Sequence, residues 1–360
     1  MSAQVTLSKI RSIAVIEVNN PPVNALGHAV RKGLWDSIEV AEADDTVKAI
    51  VLIGAGRTFP AGADINEFGT AMQEPYLPDV IDRIEDCKKP VVAALHGTAL
   101  GGGFEVALGS HYRIAPADAR IGLPEVNLGL LPGAGGTQRM PRLCGAKLTL
   151  DVMLSGKPIS AAKAHAAGLI DRLAEGDLRL EAIKFAEEVQ KVRRSRDEEQ
   201  GFLNTKSYHE ALDDAKKMIS TRMRGQLAPI KIIECVTAAL ETPFAEGRAF
   251  ERASFFECLS SEQSKGMIHA FFAERASAKV PEASRAKPRK LESIGVVGGG
   301  TMGAGITVAA LDSGLPVTMI ERDAESIARG RANVEKVYDR LVAKGRKTKD
   351  QKAAVMALYT

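Results

Sequence analysis

The chain has little of what nucleic-acid platforms, metal sites and membrane spans require. One tryptophan, Trp35, and five tyrosines among 360 residues are too few rings to stack a single strand base by base. Lys and Arg number 48 against 45 Asp and Glu, a net charge of +3, which is too balanced for a surface that neutralises many phosphates. Nucleic acid is therefore not expected as a partner. The four cysteines, Cys87, Cys144, Cys235 and Cys258, show no Cys-x-x-Cys pair and no clustered Cys/His spacing for zinc. They read as reduced structural thiols of an intracellular protein, and no metal is expected. No apolar stretch approaches the ~20 residues of a membrane span. The first apolar run, Ile13 to Ile16, stops at Glu17, too short for the core of a signal peptide.

The remaining composition, 45% hydrophobic and 26% charged, is that of a globular protein, and the length favours two or more domains. Short apolar runs bounded by Gly and Pro, at Ile13 to Val18, Ala49 to Ile53, Val91 to Leu95 and Tyr112 to Ala115, predict buried strands. Helical stretches such as Val30 to Ala43 and Pro78 to Cys87 separate them, the alternation of a layered α/β unit. From Leu178 to Ala276 the pattern is almost wholly helical, with Thr242-Pro243 as a helix start and Ser260-x-x-Gln263 as a capping box. Residues 281–290 (PEASRAKPRK) are basic and free of large apolar side chains, the composition of an exposed linker. The expected organisation is a core at 1–190, a helical region at 191–280, a linker at 281–291 and a last domain at 292–360.

Three segments of the first half carry chemistry. In ALGGGFEVALG (99–109) a glycine turn feeds a helix, whose free N–H groups suit a developing negative charge. Glu105 sits there among Phe104, Val106, Ala107 and Leu108, where a carboxylate is costly without a task or a partner. In FPAGADINE (59–67) a small-residue turn ends a strand region, and Asp64-x-x-Glu67 has capping-box spacing. The N–H of Ala63 is expected to face the same space. Further on, Gly122-Leu123-Pro124-Glu125 sets a second carboxylate in an extended or turn segment. A glycine turn from Leu130 to Thr137 then opens a helix near Gln138, without the Gly-Lys-Ser/Thr ending of a nucleotide P-loop.

Together PPVNAL (21–26), FPAGADI (59–65), ALGGGFEVALG (99–109) and GLPEVNLGLLPGAGGTQRMPRL (122–143) closely resemble the crotonase (enoyl-CoA hydratase and isomerase) superfamily. The resemblance implies the α/β crotonase spiral fold and an acyl-CoA substrate. Matched by position, Ala63 and Gly102 are the two oxyanion-hole N–H donors, and Glu105 and Glu125 the hydratase carboxylate pair. Ala61, Asp64 and Ile65, with Gly101 and Gly133, fall in the coenzyme A and substrate channel. Both glutamates are kept, which points to hydration of a trans-2-enoyl thioester. Two N–H groups stabilise the enolate oxygen, Glu105 deprotonates the water and Glu125 protonates C2, one of the pair holding its proton near neutral pH through a raised pKa. The same groups serve Δ3-Δ2-enoyl-CoA isomerisation. A crotonase-fold acyl-CoA hydrolase, or a non-catalytic subunit that binds coenzyme A or NAD, are the alternatives.

After the linker, SIGVVGGGTMG (293–303) is a strand running into Gly298-x-Gly300-x-x-Gly303 and a helical stretch. A second strand, Pro316 to Ile320, ends at Glu321, 21 residues after Gly300. Strand, glycines, helix, strand and acid in this order form a dinucleotide fingerprint. Glu321 favours NAD over NADP, because a carboxylate repels a 2′-phosphate. This part resembles the NAD-binding region of 3-hydroxyacyl-CoA dehydrogenases, and the whole order resembles the multifunctional β-oxidation enzymes. That family's dehydrogenase His and Glu fall beyond Thr360, so a partial Rossmann fold without 3-hydroxyacyl-CoA oxidation is expected here. None of the histidines 28, 96, 111, 165, 209 and 269 is assigned as a replacement base. The missing leader favours the cytoplasm, with the peroxisome as the alternative.

Overall fold

The computed structural model describes residues 4–64, 67, 73–277, 279–284 and 286–360. Two compact units divide the chain, Met1–Ala278 and Lys279–Thr360.

The first unit is built on a six-stranded sheet. Its strands are β1 (Val5–Ile10), β2 (Ile13–Val18), β3 (Ala49–Gly54), β4 (Val91–Ala94), β6 (Tyr112–Pro116) and β9 (Arg172–Ala174), in the order β1-β2-β3-β4-β6-β9. β1 pairs antiparallel with β2, and the other neighbours are parallel. A three-stranded sheet of β5 (Thr98–Leu100), β7 (Arg120–Gly122) and β8 (Ile159–Ser160) lies beside it in sequence. The helices are α1 (His28–Ala43), α2 (Leu77–Glu85), α3 (Gly102–Gly109), α4 (Gly136–Ser155), α5 (Ala161–Ala166), α6 (Leu178–Glu188), α7 (Thr205–Arg222), α8 (Leu227–Glu241), α9 (Phe244–Ser260) and α10 (Glu262–Ser277).

The apolar runs of β2, interrupted only at Glu17, and of β3 and β4 follow from burial on both faces. Period-two geometry sends Ile13, Val15, Ala49, Val51, Val92 and Ala94 into one core with Ala182, Ile183 and Phe185 of α6. Ala14, Ile16, Ile50, Leu52, Val91 and Ala93 enter the other, with Leu34 and Ile38 of α1 and Ile81 and Ile84 of α2. β1 has no apolar run, and five of its six residues are exposed. It forms through its ladder with β2 rather than through burial. Two helix boundaries differ from the sequence pattern. α9 starts at Phe244 with Pro243 as its cap. The hydroxyl that accepts from the first turn of α10 is that of Ser261, from Ser264 N at 3.1 Å, not that of Ser260.

The second unit holds β10 (Ile294–Val297), α11 (Thr301–Asp312), β11 (Val317–Ile320), α12 (Ala324–Ala343) and α13 (Lys349–Met356). β10 and β11 are parallel, in register from Ile294↔Val317 to Val297↔Ile320. On the other side of β11 a short ladder forms, with Val317 N donating to Leu358 O and Met319 N to Thr360 O, at 2.9 and 2.8 Å. Leu311, Val317, Val334 and Tyr338 are buried in its core. This is a Rossmann-like βαβ layer. No helix among the described residues is long and apolar enough to cross a membrane.

Candidate active site

The sequence-predicted residues of the first unit converge on one cavity of about 1010 Å³. Ala61, Ala63, Asp64, Gly101, Gly102, Glu105, Glu125 and Gly133 all line it; Ile65 lies outside the described residues. Asn24 begins the assembly. It sits at φ 54°, takes Asn20 N on its Oδ1, and donates through Nδ2 to the carbonyls of Ala55 and Thr58 at 2.9 and 2.7 Å. This ties the turn before α1 to the end of β3. Ala61 N then bonds Val23 O, and Leu26 N bonds Gly62 O. Ala63 N–H donates to no acceptor among the described residues. Opposite it, α3 begins at Gly102, whose N–H is among those a helix leaves unpaired. A Cβ on Gly102 would lie 3.3 Å from Ala63 N, so the two N–H groups belong to backbone segments in close approach. Glycine is required one residue on, because a Cβ on Gly103 would overlap the Pro60 carbonyl oxygen.

Glu105 projects from the first turn of α3 and is 3% exposed. Its Oε1 accepts from Ala134 N and Gly136 N, both at 2.8 Å, at the start of α4. Burial, then the nearby Glu251 charge, push its carboxyl up to about 7 against the pull of those two N–H groups. Glu125 opens a 3-10 turn, Glu125–Leu128, and a Cβ on Gly101 would lie 2.9 Å from its Oε1. Its Oε2 is buried without a hydrogen-bond partner. Burial first and the Glu105 charge second hold Glu125 well above the usual carboxylate range. Glu105 thus has two donors favouring its anion, and Glu125 Oε2 has none.

The sequence did not point to the wall opposite. α9 contributes Arg252, Phe255, Phe256 and Leu259, and α10 contributes Phe271, Phe272 and Arg275. Gly133 is the floor under this wall: a Cβ there would meet the Phe255 ring at 2.5 Å. Nor did the sequence single out Glu251, fully buried behind Glu105. Among the described residues no cluster of His, Cys, Asp and Glu is arranged to hold a metal.

In the second unit the fingerprint residues form a cradle. Gly298 has φ +93°, and a Cβ on Gly303 would overlap the Gly298 carbonyl oxygen. Gly300 caps α11 over open space, with no atom within 4 Å of where a Cβ would stand. Glu321 at the end of β11 accepts from Gly299 N at 2.8 Å. An open helix N-terminus for a pyrophosphate and a carboxylate beside it for a ribose diol fit a dinucleotide.

The first unit has the crotonase fold, and a dinucleotide-binding layer follows it in the chain. Residues 8–220 match the family model for enoyl-CoA hydratase/isomerase, and residues 293–360 that for the 3-hydroxyacyl-CoA dehydrogenase NAD binding domain. The chain belongs to the enoyl-CoA hydratase/isomerase family. It is 38% identical over 345 residues to the peroxisomal bifunctional enzyme of Cavia porcellus, covering 93% of this chain and 48% of that protein. It is 36% identical over 370 residues to the peroxisomal fatty acid beta-oxidation multifunctional protein AIM1 of Arabidopsis thaliana, covering 96% and 50%. The chain thus spans about half the length of the curated relatives it matches. Among solved structures, carnitinyl-CoA hydratase from Mycobacterium avium superposes with a TM-score of 0.57 at 29% identity, over 76% of this chain and 97% of that one. Enoyl-CoA hydratase/isomerase from Pseudoalteromonas atlantica T6c gives 0.57 at 27% identity, over 75% and 97%.

Proposed function

We propose that this chain adds water across the double bond of trans-2-enoyl-CoA, with the cavity residues in the following roles. The thioester oxygen sits at the N–H groups of Ala63 and Gly102, which stabilise the enolate without titrating. Glu105 takes a proton from the water whose oxygen bonds to C3. Glu125 gives its proton to C2, and solvent exchange returns the pair to its starting state. The observation that carries this reading is the unequal carboxylate pair, Glu105 Oε1 held by two N–H donors and Glu125 Oε2 without a partner, beside the closely approaching backbone of Ala63 and Gly102. Ala61 and Asp64 line the coenzyme A end, and the aromatic wall of α9 and α10 takes the acyl chain. Isomerisation of 3-enoyl-CoA is a second activity of the same site, because it passes through the same enolate and can use the same two proton carriers, Glu105 to remove a proton and Glu125 to return one. A hydrolase or a purely binding role leaves this carboxylate pair unused.

For the second unit, Gly298, Gly300 and Gly303 hold the pyrophosphate of NAD and Glu321 its ribose diol. NAD when bound accepts a hydride. For location the reading keeps the cytoplasm, with the peroxisome of the named relatives as the alternative; imaging of a tagged chain decides between them. The activity test is decay of the enoyl-thioester absorbance of crotonyl-CoA by the purified chain, with no cofactor or metal added. Folded protein that leaves the absorbance unchanged overturns the reading.

A further inference from the structure

Four consecutive N–H groups at the start of α4 are divided between two carboxylates from distant parts of the chain. Glu105 takes Ala134 and Gly136. Glu251 of α9 takes the alternate pair, Gly135 N on Oε1 at 2.8 Å and Thr137 N on Oε2 at 3.1 Å. The Thr137 hydroxyl also donates to Glu251 Oε2, at 2.5 Å, and Arg248 donates to Oε1 at 2.8 Å. Every one of these bonds is donated to Glu251, the pattern of a carboxylate anion. Glu251 is 0% exposed and does not line the cavity. Its route to the chemistry therefore runs through the turn it shares with Glu105.

We propose that Glu251 is a positioning residue for hydration: by holding Gly135 and Thr137 it fixes the α4 turn so that Ala134 and Gly136 meet a single oxygen of Glu105. The second oxygen of Glu105 is then left for the water. This rests on the reading of Glu105 as the base. A flexible turn would let both Glu105 oxygens share the N–H groups and would blunt the base.

The shared turn also places a second negative charge beside Glu105. The groups facing Glu251 are Arg248 on its own helix, Arg139 and Thr137 of α4, Glu105 of α3 and the Cys235 thiol of α8. Asp82 of α2 pairs with both arginines, at 2.6 and 3.5 Å, Glu85 of α2 pairs with Arg139 at 2.7 Å, and Glu125 stands beyond Glu105. Burial raises the Glu251 carboxyl above its ordinary value, while Arg248, the Thr137 hydroxyl, Arg139 and Gly135 N–H oppose it. The Glu251 anion, after burial, is what makes Glu105 hold its proton toward neutral pH.

The test is the pH profile of kcat/KM for crotonyl-CoA, measured on the full chain, since this ratio reports the free enzyme. Wild type is expected to show an acid limb near 7. Glu251→Gln removes the charge: the limb moves down by about one pH unit, and kcat falls by roughly tenfold with KM within a few fold. Glu251→Asp keeps the charge but is one methylene short, so its limb stays in place while kcat falls. An active wild type with an unmoved limb in Glu251→Gln overturns the proposal alone; an inactive wild type overturns the hydratase reading and the proposal with it. If Glu251→Gln does not fold, Arg248→Gln decides. Loss of that positive charge moves the limb up, and an unmoved limb overturns the proposal.

Discussion

Gly103 seats directly against the carbonyl oxygen of Pro60, next to the close approach of Gly102 to Ala63 N. The two donors come from segments far apart in sequence, so their convergence depends on how closely α3 approaches the 60–63 turn.

Gly103→Ala should therefore open the donor pair. The added methyl group meets backbone that cannot rotate away, and overpacking of this kind costs about 1–3 kcal/mol. A fall in kcat of roughly 10²-fold is expected, with a lower melting temperature. Ala63→Pro removes one donor outright and should abolish turnover while circular dichroism shows a retained fold. Full activity in either variant would take that donor out of the site.

Glu105→Gln and Glu125→Gln should each lower kcat by roughly 10² or more with KM within a few fold, because each group acts on the transition state. A rise in KM at constant kcat would make them binding residues instead.

Glu105 also leaves a mark on stability. Its carboxyl titrates at about 7 in the folded chain against an ordinary 4.5. Between these values the unfolded chain has released the proton that the folded chain keeps. Stability from this group therefore falls as pH rises through that window, by at most about 1.4 kcal/mol per pH unit, and levels off above it. Urea unfolding of wild type and Glu105→Gln at pH 5 and pH 8 is the check. The variant should gain on wild type at the higher pH; an equal difference at both would mean that Glu105 titrates normally.

In the second unit Glu321→Ala should weaken NAD binding by roughly tenfold in calorimetric titration, as two charge-assisted hydrogen bonds to the ribose are lost. It should also narrow the preference for NAD over NADP. Equal affinities for wild type and variant would place the ribose elsewhere.

The sheet was legible in sequence wherever burial on both faces left an unbroken apolar run, as at Ile13 to Ile16 and Ala49 to Ile53. β1 was not, because its exposed residues are held by a ladder and carry no hydrophobic signal. The shift from Ser260 to Ser261 has a local cause: Gln263 is drawn away to Gly225 O and Leu227 N, at 2.6 and 2.9 Å. The two cavity carboxylates, Glu105 and Glu125, were legible because each lies inside a glycine- or proline-marked segment. Glu251 was hidden by its neighbours, since Arg252 and Phe250 make it look like a surface residue. A signal did exist. Gly247, Glu251, Ser254 and Cys258 recur at helical spacing, and all four are buried on one face of α9. The aromatic wall had no comparable signature, since its side chains meet the cavity only through tertiary packing.

Phe271, Phe272 and Arg275 border the cavity from α10, a helix that carries none of Ala63, Gly102, Glu105 and Glu125. Selection can rewrite that border without touching the chemistry. On the proposed reading, an engineer seeking a different acyl length would begin with α10 and leave α3 alone.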